Sequence, residues 1–405
     1  MKPATPVPIV GIGCICSAGT TLAQCMQSLY RGERYPAPPT RFSFSGTSAF
    51  PVFEVLDNFF TPDRWKQTEV LRTSQLALTA ALEALEDAGL DPRELQHRRI
   101  GVCLGTNVGS SMNNESFYRD NVEGCDPYIP PVERFLLSNP VCGIVSEFEL
   151  NGPAQTVVNA CSAGSDAIGI AASWIRSGLC DAVITGGADE MYRVTYAGFK
   201  SLFINDDSPC KPFDAHRKGL NLGEGAAILL LVSQALAQEL RLGPRGYVLG
   251  YGSASDAYHF TKPRPDGKGL RRAIEEALAA AEVNSGDVAF INAHGTGTID
   301  NDLAESIVLS EMLPGVPFLS TKGYTGHTLG ASGAIEAAFT IACLETGRIP
   351  ASAGFSVPDP QLPGLPVAQN TPVSGSVAIS ETLAFGGNNA VLVLGKGIPT
   401  IEHND

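Results

Sequence analysis

Residues Gln155–Ser165 read QTVVNACSAGS, in which a β-branched strand runs into a cysteine and a helix of small residues follows. This order is typical of a nucleophile elbow, where a sharp turn holds a reactive side chain at the carboxyl end of a strand. We expect the unpaired N–H groups and the dipole of the helix N-terminus to favour the thiolate of Cys161. Cys161 is therefore the candidate nucleophile, and an inert buried cysteine is the alternative.

Short apolar runs alternate with helix-length amphipathic segments on both sides of this elbow, which indicates an α/β fold. The predicted strands are Pro8–Ile12, Ile100–Leu104, Thr156–Asn159, Ala182–Thr185, Ala227–Val232, Tyr247–Gly252, Val288–Asn292, Ser376–Ser380 and Ala390–Leu394. The predicted helices are Glu69–Ala88, Ala163–Ser177, Leu270–Ala281, Asn301–Met312 and Ser332–Thr346.

A weak internal repeat runs through this pattern. Ile9–Cys14 resembles Val248–Ser253, and Ile100–Thr106 resembles Phe290–Thr296 in the same order. Two copies of one βα plan would explain the resemblance. We therefore predict two similar halves.

The boundary between the halves is predicted near residue 240, within Gln234–Arg245. Residues 1–239 would carry the nucleophilic cysteine, and residues 240–405 would carry the two histidines described below. The proline-rich segment Pro350–Pro372 is predicted to be a surface crossover, because it shows neither helical nor strand periodicity.

Charge and composition exclude several classes of function. The 405 residues carry a formal net charge of −14, which disfavours nucleic acid and anionic membranes as partners. The first residues show no secretory apolar region, and no apolar run reaches about 18 residues, so we expect a cytoplasmic protein without a membrane span. The ten cysteines include one close pair, Cys14 and Cys16, and we expect free buried thiols.

Two further motifs contain histidines. In Asn292–Thr298, NAHGTGT, His294 follows a strand and enters a tight loop rich in N–H and hydroxyl donors. In Ser320–Glu336, Lys322 and His327 lie five residues apart on a glycine-rich loop that enters a helix, where Glu336 could pair with Lys322. The alternatives are a histidine that only satisfies a loop carbonyl, and a helix-capping loop with solvated charges.

A fourth motif, Phe385–Asn389 or FGGNN, places two glycines after a predicted strand. Such a turn can direct backbone N–H groups into a cavity, although a plain turn is the alternative reading. Together the motifs indicate a thiolate that attacks an acyl group, histidines that act on a second substrate, and amides that hold an oxyanion. A hydrolase needs only one base beside its thiol, whereas two histidines suit a reaction with two carbonyl centres.

These motifs resemble the β-ketoacyl synthase family of the thiolase superfamily, in its elongating Cys-His-His branch. The resemblance covers nearly the whole chain and includes Thr185–Asp189, Lys211–Asp214 and Ser255–His259. It implies an acyltransferase with the five-layered αβαβα thiolase-like fold, built from two similar halves, and normally dimeric. The branch that uses Cys-His-Asn fits less well, because His327 occupies the second position.

The resemblance also implies the chemistry of the main residues. Cys161 would take an acyl chain from an acyl carrier protein, and malonyl carrier protein would then bind and lose CO2. His294 and His327 would stabilise the enolate, and the backbone N–H groups of Cys161 and Phe385 would form the oxyanion hole. Phe385 would also be the gate that senses acylation.

Four further roles come from the same resemblance. Thr296 and Thr298 would bind the phosphopantetheine arm, while Lys322 and Glu336 would form a supporting ion pair, with Lys322 catalytic in a secondary sense. No metal or other cofactor is implied, since the substrates arrive on the phosphopantetheine of the carrier protein. The partner subunit would be a second copy, or a homologous chain-length factor in a ketosynthase heterodimer.

The chain departs from the family pattern at three places. Asn388 stands where the family commonly has threonine, and Arg217–Leu220 reads RKGL in place of Arg-Asp-Gly-Phe. The basic stretch that faces the carrier protein is thin, with only Arg64, Lys66 and Arg72 near the expected place. These departures favour a specialised polyketide or polyene pathway over housekeeping fatty acid synthesis.

Two rival functions remain open at this point. One is a catalytically silent chain-length factor. The presence of Cys161, His294 and His327 argues against it. The other is a degradative thiolase that uses coenzyme A, which needs a second catalytic cysteine near the C-terminus. The last cysteine, Cys343, falls inside a predicted helix.

Overall fold

The computed structural model describes residues 4–43, 49–56, 70–95, 97–137 and 139–398. The strands are β1 Val7–Cys16, β2 Ile100–Gly105, β3 Ala154–Val157, β4 Ala182–Asp189, β5 Gly225–Val232, β6 Gly246–Ser255, β7 Val288–Asn292, β8 Phe318–Leu319, β9 Arg348–Ile349, β10 Thr371–Pro372, β11 Val377–Ala384 and β12 Asn388–Gly395. Each predicted strand is present, with ends that differ by a few residues.

The helices include every predicted one and several that were not predicted. They are Leu22–Arg31, Arg72–Ala88, Pro92–Leu95, Glu115–Val122, Pro130–Leu137, Pro140–Glu147, Ala163–Arg176, Arg193–Ser201, Gln234–Glu239, Lys268–Ala281, Ile299–Met312, Lys322–Thr325 and Ser332–Thr346. Among the described residues, no helix combines the length and apolar character that crossing a bilayer requires.

Ten strands form a continuous sheet whose order shows the internal repeat. The order is β3-β2-β4-β5-β1-β6-β12-β11-β7-β8. The first five strands and the last five, read from opposite ends, share the same order and the same pattern of parallel and antiparallel neighbours. The repeated sequences therefore occupy equivalent positions, β1 with β6 and β2 with β7.

The two five-stranded sets are covered by helices on both faces. The helices Ala163–Arg176 and Ser332–Thr346 lie between the sets and pack against both. Arg72–Ala88 covers the outer face of the first set, and Lys268–Ala281 covers the outer face of the second. The layers thus run α-β-α-β-α, which confirms the predicted fold class.

Strand β5 shows why both faces of a set are apolar. Its alternate residues Ala226, Ile228 and Leu230 belong to the core under the outer helices. The intervening residues pack into the core around the central helices, since successive side chains of a strand point to opposite faces. A nearly continuous apolar sequence is typical of a strand buried on both sides.

The central helices approach each other closely where both begin. A Cβ atom on Gly333 would lie 2.0 Å from the Ser165 hydroxyl oxygen, and one on Gly164 would lie 2.8 Å from the carbonyl oxygen of Gly330. Side chains at either glycine would therefore push the helices apart. This close packing fixes the relative position of the two loops that precede the helices, which carry Cys161 and His327.

The cysteines behave as predicted. All ten are free, and eight of them are buried. Cys14, Cys16 and Cys25 cluster in the core, with 3.6 Å between the sulfurs of the last two.

Candidate active site

The elbow around Cys161 is present but is wider than predicted. Strand β3 ends at Val157, and the helix begins at Ala163. Between them Ala160 has φ of +49°, a strained conformation for a residue with a Cβ atom. The resulting turn buries Cys161, whose exposed fraction is 2%.

The Cys161 thiol is protonated at neutral pH. Burial raises its pKa to about 11, against the opposing effects of the Phe385 and Cys161 backbone N–H groups and the Lys322 charge. The backbone N–H groups favour the thiolate, as expected, but desolvation is the larger effect in the free site, so the pKa is raised. The same two N–H groups nonetheless point at the sulfur, where an oxyanion would form on an attacked carbonyl.

His294 is held rigidly behind the end of β7. Its backbone N–H donates to Glu305, and the Lys322 ammonium lies 3.0 Å from its Nδ1. Burial first, and then the charge of Lys322, lower the pKa of His294 well below its ordinary value. Because an ammonium can only donate, Nδ1 accepts and the proton of the neutral ring resides on Nε2.

His327 reaches the same tautomer by a different contact. The Leu329 backbone N–H donates to its Nδ1 at 3.1 Å, so Nε2 carries the proton. Burial lowers the pKa of His327 well below its ordinary value, with the Lys322 charge in second place. The rings of His294 and His327 lie edge to face, with centroids 5.2 Å apart. The site therefore presents two neutral Nε2–H donors side by side.

Lys322 and Glu336 form the predicted ion pair, which is fully buried. Burial raises the pKa of Glu336 to about 7, although the Lys322 charge opposes the shift. The ammonium thus contacts a carboxylate on one side and His294 on the other. Lys322 does not line the cavity described next, whereas His294, which its ammonium contacts, does.

One cavity of about 260 Å³ collects six of the predicted residues. Its lining includes Cys161, His294, His327, Thr296, Thr298 and Phe385. The hydroxyl oxygens of Thr296 and Thr298 lie 2.8 Å apart, so they can bind one polar arm together. The nucleophile, the histidines and the threonines, which are up to 166 residues apart in sequence, therefore face one space.

The Phe385 turn closes one side of this cavity. Gly386 and Gly387 have φ of 84° and 77°, which explains the two glycines. The Phe385 ring stacks on Phe199 with centroids 5.5 Å apart. Asp256 holds the turn, since its backbone N–H donates to the Gly387 carbonyl at 2.7 Å.

Three buried carboxylates that organise the site were not predicted. Glu305 accepts the N–H groups of His294 and Gly295, and Asp302 accepts those of the Thr296 segment. Asp189 accepts N–H groups from two loops, which include that of Gly330. A sequence signal existed for Asp302 and Glu305, because they fall in the first turns of the helix directly after the His294 loop.

The predicted basic stretch does not provide a docking surface at Arg72. Arg72 is buried, and its guanidinium pairs with Glu224 at 2.6 Å. Arg64 and Lys66 lie outside the described residues. Arg72 is therefore a structural ion-pair residue, and that part of the expectation is wrong.

Comparisons with known proteins agree with this geometry. Residues 4–237 match the family model "Beta-ketoacyl synthase, N-terminal domain", and residues 245–356 match "Beta-ketoacyl synthase, C-terminal domain". A 3-oxoacyl-[acyl-carrier-protein] synthase 2 of Synechocystis sp. is 34% identical over 415 residues, which cover 96% of this chain and 98% of the relative.

Two solved structures extend the comparison. The ishigamide ketosynthase/chain length factor superposes with a TM-score of 0.89 at 33% identity, over 97% of this chain and 99% of that one. The type II polyketide ketosynthase AntDE, bound to its acyl-carrier protein AntF, superposes with a TM-score of 0.86 at 25% identity, over 97% and 99%. This chain therefore belongs to the β-ketoacyl synthase family.

Proposed function

We propose that this protein catalyses the decarboxylative Claisen condensation of an acyl-enzyme thioester with malonyl-acyl carrier protein, in a fatty acid, polyketide or polyene pathway. One observation carries the proposal: a single cavity presents a buried thiol with two backbone N–H groups beside it and two neutral Nε2–H donors. Two separate sets of donors suit a reaction in which two carbonyl oxygens gain negative charge.

The first step is acyl transfer to Cys161. The sulfur attacks the thioester carbonyl of the acyl carrier protein, and the oxyanion accepts the N–H groups of Cys161 and Phe385. The carrier's phosphopantetheine sulfur leaves with the proton that the Cys161 thiol gives up, so no net proton is released. A thiol with a pKa of about 11 resists ionisation until an acyl donor arrives, and this limits side reactions of the free site.

The second step is decarboxylation of the malonyl group. As CO2 leaves, the electron pair of the broken carbon–carbon bond passes into the thioester, and its oxygen becomes an enolate. His294 and His327 each donate Nε2–H to that oxygen, in a buried setting where such donors are most effective. Neutral rings suit this role, because the site must release the carbonyl oxygen again after condensation.

The third step joins the two groups. The enolate carbon attacks the acyl carbon on Cys161. The second oxyanion again accepts hydrogen bonds from the backbone N–H groups of Cys161 and Phe385. Collapse of this intermediate expels the cysteine sulfur, which is reprotonated from solvent. The product is a β-ketoacyl-acyl carrier protein that is two carbons longer. Lys322 and Glu336 would maintain the tautomer of His294 throughout.

The surface around the cavity suits a carrier protein. Phe203 lines the cavity and is 92% exposed, and Phe260, which precedes the lining residue Thr261, is 86% exposed. Lys218 and Lys262 line the cavity and are largely exposed, although each lies near an aspartate. Exposed aromatic rings would bind the carrier by apolar contact, and the two lysines could exchange their aspartate partners for carboxylates of the carrier.

The unpaired edge of strand β3 supports a dimer. In the described part of the chain β3 pairs only with β2, and its first three residues are exposed. Val158, directly after the strand, is 65% exposed. A second chain that covered this edge would also approach the elbow of Cys161. The likeness to a ketosynthase/chain length factor supports a heterodimer in which this chain is the active half.

A labelling experiment tests the condensing function. Incubation with an acyl-acyl carrier protein should add the acyl mass to Cys161, and malonyl carrier protein should then release a product that is two carbons longer. Cys161→Ala should lose both results and keep its fold, whereas Cys125→Ala, at an exposed cysteine, should keep both. A folded wild-type protein without acyl adduct, or product from Cys161→Ala, would exclude the proposal.

The same protein can be sized by analytical ultracentrifugation alone and with a homologous chain that lacks the cysteine. A heterodimer that replaces the homodimer when the homologous chain is added would support a chain-length factor as the partner subunit. A monomer under both conditions would exclude the dimer.

A further inference from the structure

A chain of side-chain hydrogen bonds connects the Phe385 turn to the Cys161 elbow. The amide Nδ2 of Asn388 donates to Oδ1 of Asn159 at 2.7 Å. Asn159 in turn donates from Nδ2 to Oδ2 of Asp166 at 2.6 Å. The two loops that flank the cavity are therefore linked by a hydrogen bond between two side-chain amides as well as by packing.

Asp166 anchors this chain in a fixed orientation. Its carboxylate accepts the Tyr251 hydroxyl at 2.6 Å and the Ser162 hydroxyl at 2.8 Å, and it is 4% exposed. A carboxylate only accepts, so the donating side of the Asn159 amide must face Asp166 and its oxygen must face Asn388. The direction of every bond in the chain is thus determined.

The linked residues lie next to the two proposed oxyanion donors. Asn159 precedes Cys161 by two residues, with the strained Ala160 between them. Asn388 follows Phe385 by three residues and caps the Phe385–Gly387 turn. Neither amide lines the cavity, so neither contacts the substrate.

We propose that Asn159 and Asn388 form a latch that positions the Phe385 N–H against the Cys161 sulfur. The inference rests on the proposed function for its catalytic consequence, but the latch itself is a feature of the free protein. The geometry explains a departure from the family pattern: threonine at position 388 would be too short to reach Asn159 while it stays bonded to Asp166. The latch residues are positioning residues, because they act through the backbone amide of Phe385.

A double-mutant cycle tests the latch in the reaction. Asn388→Ala and Asn159→Ala should each slow acyl transfer to Cys161 about tenfold, as expected when one oxyanion donor is displaced but still present. The double variant should be no slower than the slower single variant, since the Asn159–Asn388 hydrogen bond is lost in all three. The KM for the acyl carrier protein should stay unchanged, because the mouth of the cavity is untouched.

Two further variants separate hydrogen bonding from packing. Asn388→Asp keeps the shape but places an acceptor against the Asn159 oxygen, so it should be at least as slow as Asn388→Ala. Asn370→Ala removes an exposed amide that accepts the Ala351 backbone N–H and donates to the Tyr30 carbonyl, far from the latch, and it should match the wild type. Thermal unfolding of all variants checks that the fold is retained.

The pH dependence of Cys161 alkylation by iodoacetamide gives a readout that needs no ketosynthase activity. The Phe385 N–H favours the thiolate, so its displacement should move the alkylation midpoint to higher pH by about one unit, equivalent to tenfold in thiolate at lower pH. Additive effects in the cycle, or wild-type behaviour of Asn388→Asp in both assays, would overturn the latch. An inactive wild type with a shifted midpoint in the variants would instead refute the proposed function and leave the latch standing.

Discussion

Replacing His327 by alanine should separate the two chemical steps of the site. The imidazole is buried, and its Nε2–H is one of two donors available to an enolate oxygen. Loss of one preorganised donor costs about 10²–10³ in rate, or about 2.7–4 kcal/mol. Decarboxylation should fall by that factor, because His294 remains. Acyl transfer should persist, since its oxyanion accepts hydrogen bonds from backbone N–H groups that the substitution leaves in place.

The substitution also has a structural cost. The Leu329 N–H loses its acceptor in a buried position, which destabilises the fold by about 1–3 kcal/mol. Kinetics should therefore be measured well below the unfolding temperature.

The assay needs both steps measured on one preparation. CO2 release from malonyl-carrier protein reports decarboxylation, and intact-protein mass spectrometry reports the acyl adduct on Cys161. His216→Ala is a matched control, because that side chain is 70% exposed. The assignment would be refuted if His327→Ala decarboxylated at the wild-type rate, or if acyl transfer fell as far as decarboxylation did.

Three other outcomes follow from the same structure. Lys322→Met should slow decarboxylation about 10²-fold, because His294 loses the donor that holds its proton on Nε2. Lys322→Arg should recover part of the rate. Equal decarboxylation rates in the two variants would contradict the assigned tautomer of His294. The alkylation rate of Cys161 should rise about tenfold per pH unit up to pH 10, because its pKa of about 11 lies above that range; a plateau near pH 8 would show a lower pKa. Gly333→Ala should lower the free energy of unfolding by about 1–3 kcal/mol through overpacking. Gly198→Ala should not, because position 198 has open space around it. Equal thermal unfolding midpoints of the two variants would contradict the close contact between the central helices.

The sequence pattern predicted the α/β class and the four motifs, and the family resemblance supplied the layered fold and the roles of six residues that face the cavity. Strand-to-turn transitions at Cys161, His294 and Phe385 depend on local residue types, so the glycines and β-branched runs around them could be interpreted directly. The order of the two repeats also predicted equivalent strand positions.

Properties that depend on distant contacts could not be predicted in the same way. The pKa of Cys161 is raised mainly by burial, an effect of distant packing that the local helix start could not reveal. Arg72 pairs with Glu224, 152 residues away, so its sequence neighbours gave no sign of burial. The bond between Asn159 and Asn388 spans 229 residues, and the sequence showed only that Asn388 was unusual.

The duplication itself explains how one cavity contains two kinds of donor. Strands β3 and β8 hold the same position in their halves, and each is followed by a loop that leads into a central helix. The first loop carries Cys161, and the second carries Lys322 and His327. Because the central helices begin side by side, these equivalent loops must face each other across the cavity.

The divided chemistry follows from that symmetry. One half contributes the nucleophile and its own backbone amide, and the equivalent half contributes the Phe385 amide and the side-chain donors. A fold with only one copy of the βα plan could place a thiol at an elbow but would lack the opposing loop. The second carbonyl of a condensation therefore requires the second half, whereas hydrolysis of a single thioester would not.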